Sequence, residues 1–192
     1  MTTKIAHSTN ISHHRQQASM TSDILIRILE PSDAEGFRDL RLEALTVAPE
    51  AFGASYEEDA SIPIETMRAR LSASPNVVFG AFANGGLIGM AGFAVHDRMK
   101  ARHKGVLWGV YVKAAWRGHH VGKSLVQRVI DHASRHVIML EAAVGLTNEG
   151  ARRTYHGLGF KPYGIQRKAL RVGDTFYDEE LLYLDLPQPE YA

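Results

Sequence analysis

Apolar and polar positions recur along this chain with two periods, which predict strands and helices in turn. Residues 24–29 alternate in part and predict a first strand. Ala34–Val47 and Ile64–Leu71 carry apolar residues at helical spacing, so two helices follow. The segment between them, 48–60, is punctuated by Pro and Gly, which predicts irregular backbone.

The second half of the chain predicts several strands and two more helices. Strands at Val77–Ala83 and 87–95 flank Asn84-Gly85-Gly86, a strong signal for a tight hairpin. The remaining predicted elements are a central strand at 106–112, a helix at 119–136, a buried strand at 137–144, a helix at 147–156 and terminal strands at 160–162, 168–172 and 176–186. The order βααβββαβαββ predicts a mixed α/β (α+β) domain whose long helix lies between two core strands.

Composition narrows the class of protein without naming a function. The chain has 192 residues, 45% hydrophobic and 22% charged, which is typical of a globular protein with one ordinary core. Its net charge of +1 gives no reason to expect nucleic acid or an anionic membrane as partner. Because there is no cysteine, disulfides, a thiolate nucleophile and a Cys-ligated metal are excluded. We expect a cytoplasmic protein, since no apolar run reaches about 20 residues.

The two ends differ in composition from the middle. Residues 1–22 are polar, without acidic side chains or an apolar h-region, so we expect a disordered extension rather than a secretory signal. Residues 23–187 are predicted to form a single domain, and 188–192 a short tail. His132 and His136 have the spacing of H-E-x-x-H, but Ala133 stands where the Glu should be, so we expect no metal.

One stretch, RGHHVGKS at 117–124, combines the features of an anion site. A strand, a Gly-containing loop and a helix follow each other there, and the first N–H groups of a helix lack intrahelical acceptors. The stretch also resembles a Walker A loop. However, Arg117 replaces the first Gly of that motif, and the next buried strand has no Asp to hold magnesium. An ordinary strand–turn–helix corner without a ligand is the third alternative.

A second motif in the right order decides between these alternatives. Together the two motifs resemble the GNAT superfamily of acetyl-CoA-dependent N-acetyltransferases, over about residues 24–186. The residues that carry the resemblance are Val110-Tyr111-Val112, Arg117-Gly118, Gly122, Asn148, Ala151, Tyr155 and Leu158-Gly159-Phe160. The family pattern over the turn is Q/R-x-x-G-x-G/A, and His120 stands at its middle Gly. We expect His120 to adopt right-handed helical geometry, which keeps its N–H in place.

The resemblance implies a fold and a cosubstrate. It implies a central mixed, mostly antiparallel sheet flanked by helices, whose central strands, 110–112 and 139–143, splay apart. Acetyl-CoA would pair its pantetheine arm with the first of these strands and place its pyrophosphate at the helix N-terminus. The cofactor-binding residues so implied are Val110, Tyr111, Val112, Arg117, Gly118, His119, His120, Val121, Gly122, Lys123, Ser124 and Asn148.

The implied reaction is direct attack of a primary amine on the thioester in a ternary complex. Tyr155 would protonate the departing thiolate, and a backbone N–H, that of Val110, would bind the oxyanion. Glu141 is the candidate base because it interrupts an apolar strand, and Glu57, Glu58 and a water relay are the alternatives. Aromatic and acidic residues that suit a cationic acceptor precede the second helix, at Phe52, Tyr56, Glu57 and Glu58.

Two functions from different classes lead, and a third, a nucleoside-triphosphate-binding protein, rests on the Walker-like stretch alone. The first is an N-acetyltransferase that acts on an amine-bearing small molecule or peptide, without metal. The second is a non-catalytic acyl-CoA-binding sensor or regulatory module of the same fold. The sequence leaves open whether the chain forms a homodimer.

Overall fold

The helices and strands follow the predicted order through residues 24–187, the part of the chain that this computed structural model describes. The predicted extension, 1–22, and tail, 188–192, lie outside the described residues. The strands are β1 (Leu25–Ile28), β2 (Val77–Ala83), β3 (Gly86–Val95), β4 (Lys104–Val112), β5 (Met139–Gly145), β6 (Lys161–Val172) and β7 (Thr175–Asp185). The helices are α1 (Ala34–Val47), α2 (Tyr56–Ala60), α3 (Ile64–Leu71), α4 (Val121–Ala133) and α5 (Glu149–Gly157).

All seven of these strands form one sheet in the order β1-β2-β3-β4-β5-β7-β6. Neighbouring strands are antiparallel except β4 and β5, which are parallel and are joined by a crossover through α4. The Asn84-Gly85 turn joins β2 to β3 with both residues at positive φ, as a two-residue hairpin requires. The predicted mixed, mostly antiparallel sheet is therefore confirmed.

The central strands β4 and β5 separate soon after they meet. Their pairing covers three positions, from Lys104 opposite Met139 to Val106 opposite Glu141. Beyond that point β4 stays with β3 as far as Val112, and β5 stays with β7 as far as Gly145. A gap therefore opens between the carboxyl ends of the two strands, as the predicted splay requires.

A β-bulge in β4 marks where this divergence develops. The register with β3 shifts between Met90, which lies opposite Tyr111, and Gly92, which lies opposite Trp108. Gly109 lies in the bulge with φ +64°, a conformation that costs little only without a Cβ. Gly109 thus allows β4 to bend away while it keeps its pairing with β3.

Two apolar cores lie on the two faces of the sheet. One face packs against α4, whose stripe includes Val121, Leu125, Val126 and Val129, all of them buried. The other face packs against α1 and α3. None of the helices within residues 24–187 is long and apolar enough to cross a membrane.

The main differences from the sequence-based expectation lie in α2, α4 and β6. The segment expected to be irregular contains the short helix α2, which begins at a Ser55–Glu58 capping box. Helix α4 begins at Val121 rather than at residue 119. The two strands predicted at 160–162 and 168–172 are one strand, β6, whose pairing with β7 shifts at two places. Such irregularities are tolerated because β6 is an edge strand.

Candidate active site

A groove of about 880 Å³ occupies the gap between the diverging strands. One wall is the carboxyl end of β4 with the turn that leads into α4. The opposite wall is the start of α5, and residues 48 and 50–52, before α2, close one side. The groove therefore lies at the carboxyl end of a parallel strand pair, where open α/β sheets commonly bind ligands.

The N-terminus of α4 supplies backbone donors to this groove. The amide N–H of Ser124 donates to the carbonyl of His120, which is the first full helical turn. The N–H groups of Val121, Gly122 and Lys123 precede that bond and have no acceptor within the helix, and all three residues line the groove. Together with the helix macrodipole they form a site suited to a phosphate group.

The turn before α4 depends on two residues with positive φ. Gly118 has φ +81°, and His120, the N-cap of the helix, has φ +59° and ψ +10°. The expected right-handed geometry of His120 is therefore wrong. The chain leaves an extended Arg117 and must reverse direction before the helix, and a left-handed N-cap makes that reversal. A glycine at the same position would avoid the strain that a Cβ causes there.

The edge of β4 offers polar backbone groups to the same groove. The N–H of Lys113 donates to the carbonyl of Ile88 in β3, so by alternation the polar groups of Val112 point away from β3. The carbonyl of Val112 accepts a hydrogen bond from Arg117 Nε at 3.1 Å, which holds that guanidinium beside the groove. The Arg117 guanidinium also lies 5.8 Å from the ring centre of Tyr111.

Tyr155 lines the groove from α5. Its side chain is buried, with 6% exposed, and its ring packs 5.7 Å from that of Phe160. Burial raises the pKa of the Tyr155 phenol well above its ordinary value, because the phenolate would lose its hydration. The phenol is therefore protonated at neutral pH, and burial makes it a weaker acid than an exposed tyrosine.

Helix α5 is fixed at both ends by polar contacts. Asn148 caps its N-terminus, since its Oδ1 accepts from the N–H of Ala151 at 3.1 Å. Farther along, buried Glu180 of β7 accepts from Arg152 at 3.1 Å and from His156 at 3.0 Å. The hydrogen bond from Arg152, followed by that from His156, holds the pKa of Glu180 below its ordinary range. Sequence reasoning missed Glu180, since nothing in a strand pattern reveals a partner on a helix.

Glu141 does not lie in this groove. It is located on the paired part of β5, where its carboxylate accepts from Lys104 Nζ at 2.6 Å and lies 2.9 Å from His96 Nε2. Burial acts to raise the pKa of Glu141, but the hydrogen bonds from Lys104 and His96 outweigh it and hold that pKa below the ordinary value. The structure therefore does not bring Glu141 together with Tyr155, and its carboxylate is a weak base.

The predicted residues are distributed unevenly around the groove. Of the predicted acceptor residues, Phe52 is buried in its wall, whereas Tyr56, Glu57 and Glu58 are exposed on α2 and are not among its lining residues. His119 and Ser124 are also outside the lining. The predicted cofactor residues that line the groove are Val110, Tyr111, Val112, Arg117, Gly118, His120, Val121, Gly122, Lys123 and Asn148.

Two carboxylates near the groove were not predicted. Glu50 lines it, and within the described residues no other acidic side chain does. Glu43 of α1 accepts from the Tyr111 hydroxyl at 3.0 Å and lies 3.3 Å from Lys113 Nζ. Burial, followed by the hydrogen bond to Glu43, raises the pKa of Tyr111. Their sequence neighbourhood, a helix face and a Pro-Glu-Ala turn, carries no catalytic signature.

Comparison with known proteins identifies a family whose model matches most of this chain. Residues 37–160 match the model of the acetyltransferase (GNAT) family. A curated relative, the N-alpha-acetyltransferase RimI of Mycobacterium tuberculosis, is 29% identical over 110 residues, which is 57% of this chain and 68% of that protein.

Solved structures show the same fold. The GNAT-family acetyltransferase from Streptococcus pneumoniae matches with a TM-score of 0.77 at 22% identity, over 86% of this chain and all of that one. The structure of yncA from Salmonella typhimurium with its cofactor acetyl-CoA matches with a TM-score of 0.75 at 22% identity, over 88% of this chain and 96% of that one. At this level of identity, the two likenesses show the fold alone.

Proposed function

The chain belongs to the GNAT family of acetyltransferases, and on that premise we propose that it transfers the acetyl group of acetyl-CoA to a primary amine of a small molecule or peptide. The observation that carries the proposal is a convergence. The free end of α4, the polar edge of β4 and Tyr155 all line one groove. An anion site, a strand edge and a proton donor are the three features that acyl transfer from an acyl-CoA requires.

The residues present fit the proposed cosubstrate. The N–H groups of Val121, Gly122 and Lys123 would hold the pyrophosphate, and Arg117 and Lys123 would add positive charge. The edge of β4 at Val112 would pair with the amide groups of the pantetheine arm, as an added strand does. This arrangement would direct the thioester toward Val110 and Tyr155, at the narrow end of the splay.

Acetyl-CoA supplies an activated thioester, and the protein would provide the proton transfers around it. The neutral amine nitrogen attacks the carbonyl carbon, and the backbone N–H of Val110 binds the oxygen as it gains charge. The C–S bond then breaks, and Tyr155 gives its proton to the sulfur. The attacking nitrogen loses one proton to Glu50, directly or through water. Glu50 then releases that proton to solvent, and Tyr155 regains one from solvent, which restores the starting state of both residues. Nothing is oxidised or reduced, and no covalent enzyme intermediate forms.

The second candidate, a non-catalytic acyl-CoA-binding module, would need only the phosphate and pantetheine contacts. Tyr155 favours the enzyme, because a buried, protonated phenol on the groove wall has no task in simple binding. The third candidate, a nucleoside-triphosphate-binding protein, would use the end of α4 without the edge of β4. These candidates differ in what they bind and in whether thiol is released.

Two measurements on the full chain test the proposal. Calorimetric titration should show binding of acetyl-CoA and little binding of ATP. Release of free CoA thiol should then depend on an added amine, in a screen of amino acids, polyamines, aminoglycosides and peptides. Acetyl-CoA binding without thiol release for any acceptor would favour the non-catalytic module, and ATP binding without acetyl-CoA binding would refute both acyl-CoA functions.

A further inference from the structure

The guanidinium of Arg41 lies where four segments of the chain meet. Arg41 belongs to α1 and is 9% exposed. Its Nε donates to the carboxylate of Asp59 in α2 at 2.7 Å. Its guanidinium carbon lies 5.1 Å from the ring centre of Phe52 and 5.7 Å from that of Trp108 in β4. One side chain therefore links α1 to the loop before α2, to α2 itself and to a central strand.

The same guanidinium packs closely beside the β-bulge of β4. Its Nη1 lies 3.3 Å from where a Cβ on Gly109 would be, so a larger residue would have little room there. Gly109 has the positive φ found in the bulge, and Val110 follows it directly. Because peptide groups are planar, the backbone angles of Gly109 set the direction of the Val110 N–H. Arg41 therefore packs beside the backbone that orients the proposed oxyanion donor.

The position of this guanidinium is not set by hydrogen bonding alone. Arg41 Nη1 is buried without a hydrogen-bond partner, and it is the one side-chain nitrogen or oxygen in that state within residues 24–187. Folded proteins pair almost all such donors. The guanidinium is instead anchored at Nε by Asp59 and packed among two aromatic rings and Gly109. Its planar shape is therefore what holds the neighbouring segments apart at a fixed distance.

The segments that Arg41 joins form two walls of the groove in which acyl transfer is proposed. Phe52 lies in the wall that closes one side, and Val110 lies in the wall formed by β4. The separation of these walls sets how the amine approaches the thioester carbon, and an error of about 1 Å can cost about 100-fold in rate. Strand β5 supports β4 over three paired positions, all of them before the bulge. Arg41 supports the bulge itself, from the face of the sheet that packs against α1.

We propose that Arg41 is a positioning residue for acyl transfer, which holds Phe52 and the Gly109–Val110 peptide group at the separation that the reaction requires. The inference rests on the proposed acetyltransferase function and adds to it a residue that touches neither substrate. Arg41 does not line the groove, so it acts on the reaction through its neighbours. It has no part in binding the pyrophosphate of acetyl-CoA, which the end of α4 would hold.

Arg41→Lys tests the inference, and Arg27→Lys is the matched control. Lysine keeps the charge that Asp59 requires but lacks the planar group that packs between the rings. Arg27 also pairs with an aspartate, Asp33, at 2.6 Å, and its guanidinium lies 4.3 Å from the ring centre of Phe82. It is in β1, three strands away from β4. The control therefore makes the same chemical change at a distance from the groove.

The two variants should separate in catalysis but not in cosubstrate binding. We expect Arg41→Lys to lower kcat for thiol release about 10- to 100-fold and to raise KM for the amine, with the Kd for acetyl-CoA within about twofold of the unaltered protein. Arg27→Lys should leave all three quantities within about twofold. Unchanged kcat in Arg41→Lys, equal losses in both variants, or a parallel loss of acetyl-CoA affinity would overturn the inference. Urea denaturation establishes that each variant is folded under the assay conditions.

A second pair of variants keeps the inference testable if Arg41→Lys does not fold. Asp59→Asn weakens the anchor at Nε and leaves the guanidinium in place, and Asp33→Asn is its control. We expect Asp59→Asn to lower kcat several-fold without loss of acetyl-CoA affinity, and Asp33→Asn to leave both unchanged. An unchanged kcat in Asp59→Asn, with Arg41→Lys unfolded, would refute the positioning role.

A measurement without catalysis separates failure of this inference from failure of the proposed function. The residual dipolar coupling of the Val110 N–H reports the orientation of that bond in the free protein. Arg41→Lys should change this coupling, whereas Arg27→Lys should not. An unchanged coupling in folded Arg41→Lys would refute the positioning role, whatever the thiol assay shows. A changed coupling in a protein that releases no thiol with any amine would support the role of Arg41 and count against the proposed function alone.

Discussion

Tyr155 is the residue on which the proposed chemistry depends most directly. The phenol is protonated throughout the neutral range, as an ordinary tyrosine is, and it therefore holds the proton that a departing thiolate needs. Tyr155→Phe keeps the ring that packs on Phe160 and removes the hydroxyl. We expect kcat for thiol release to fall about 100-fold and the Kd for acetyl-CoA to change little. Steady-state assays and calorimetry on the same preparation measure both quantities.

The control for this variant is Tyr163→Phe, which removes a hydroxyl from an exposed tyrosine on β6. It should leave kcat within about twofold of the unaltered protein, since surface changes of this kind have small effects. Unchanged kcat in Tyr155→Phe would remove Tyr155 from the role of proton donor. A loss of acetyl-CoA affinity equal to the loss of kcat would instead assign it to binding.

His120 provides a second test at the residue scale, of stability rather than of catalysis. A residue with a Cβ at φ +59° costs about 1–2 kcal/mol, and glycine loses about 0.5–1 kcal/mol more backbone entropy on folding. His120→Gly should therefore raise the free energy of unfolding by roughly 0.5 kcal/mol. Urea denaturation of the two proteins measures the difference.

The neighbouring histidine is the matched control. His119 is not at positive φ, so His119→Gly gains nothing from relieved strain and loses backbone entropy, roughly 0.5 kcal/mol. The two substitutions should change stability with opposite signs. A destabilising His120→Gly would mean that the imidazole makes a favourable interaction that outweighs the strain of its backbone.

Among the elements, the apolar pattern predicted helix and strand bounds best where its repeat was uninterrupted from one end of the element to the other. Helices α1 and α3 begin and end at the predicted residues, because each carries an uninterrupted helical stripe. The beginning of α4 was misplaced, since the reversal at Gly118 and His120 depends on backbone angles that periodicity does not report. β6 was divided into two strands because Pro162 and Gly164 resemble a break, which an edge strand can accommodate.

The contact between α5 and β7 gives a prediction at the same scale. Glu180 holds Arg152 and His156 of α5, and it is 8% exposed. Glu180→Ala should lower the free energy of unfolding by about 1–2 kcal/mol at pH 7, because it removes charge-assisted hydrogen bonds to two cations that water reaches in part. The exposed pair of Glu149 and Arg153 is the control, and Glu149→Ala should cost about 0.5 kcal/mol or less.

The contribution of Glu180 to the free energy of unfolding should decrease as the pH is lowered. Its pKa is held below the ordinary value in the folded protein, so the group stabilises the fold above about pH 4.3, its unfolded pKa. That contribution is lost as the pH falls through the lower folded pKa. Denaturation at a series of pH values should therefore show the difference between the unaltered protein and Glu180→Ala shrinking below about pH 4. A difference that is constant with pH would mean that packing, not charge, is lost.

In the molecule as a whole, the sequence predicted the order of the elements along the chain, and the resemblance implied the splay of the central strands, whereas contacts between distant segments were not predicted. The strand–turn–helix motif at the start of α4 and the helix that carries Tyr155 are each recognisable from a short stretch of sequence. The family resemblance implied that the two lie beside the same groove. The pairing of Arg41 with Asp59 and of Glu180 with Arg152 joins residues 18 and 28 positions apart. Periodicity reports which face of an element is buried, but it does not report which buried polar group will meet which partner.

The splay also predicts how acetyl-CoA will change the dynamics of the molecule. Strands β4 and β5 share three paired positions, so the two parts of the sheet are weakly coupled at the groove. A ligand that pairs with the edge of β4 and binds the end of α4 should slow amide hydrogen exchange at residues 110–112 and 118–124 together. ATP at the same concentration is the control, since its phosphates could reach the helix end but it has no pantetheine arm for β4. Protection by acetyl-CoA that is confined to 118–124 would mean that the site is a simple anion site, and the strand-like binding mode would have to be abandoned.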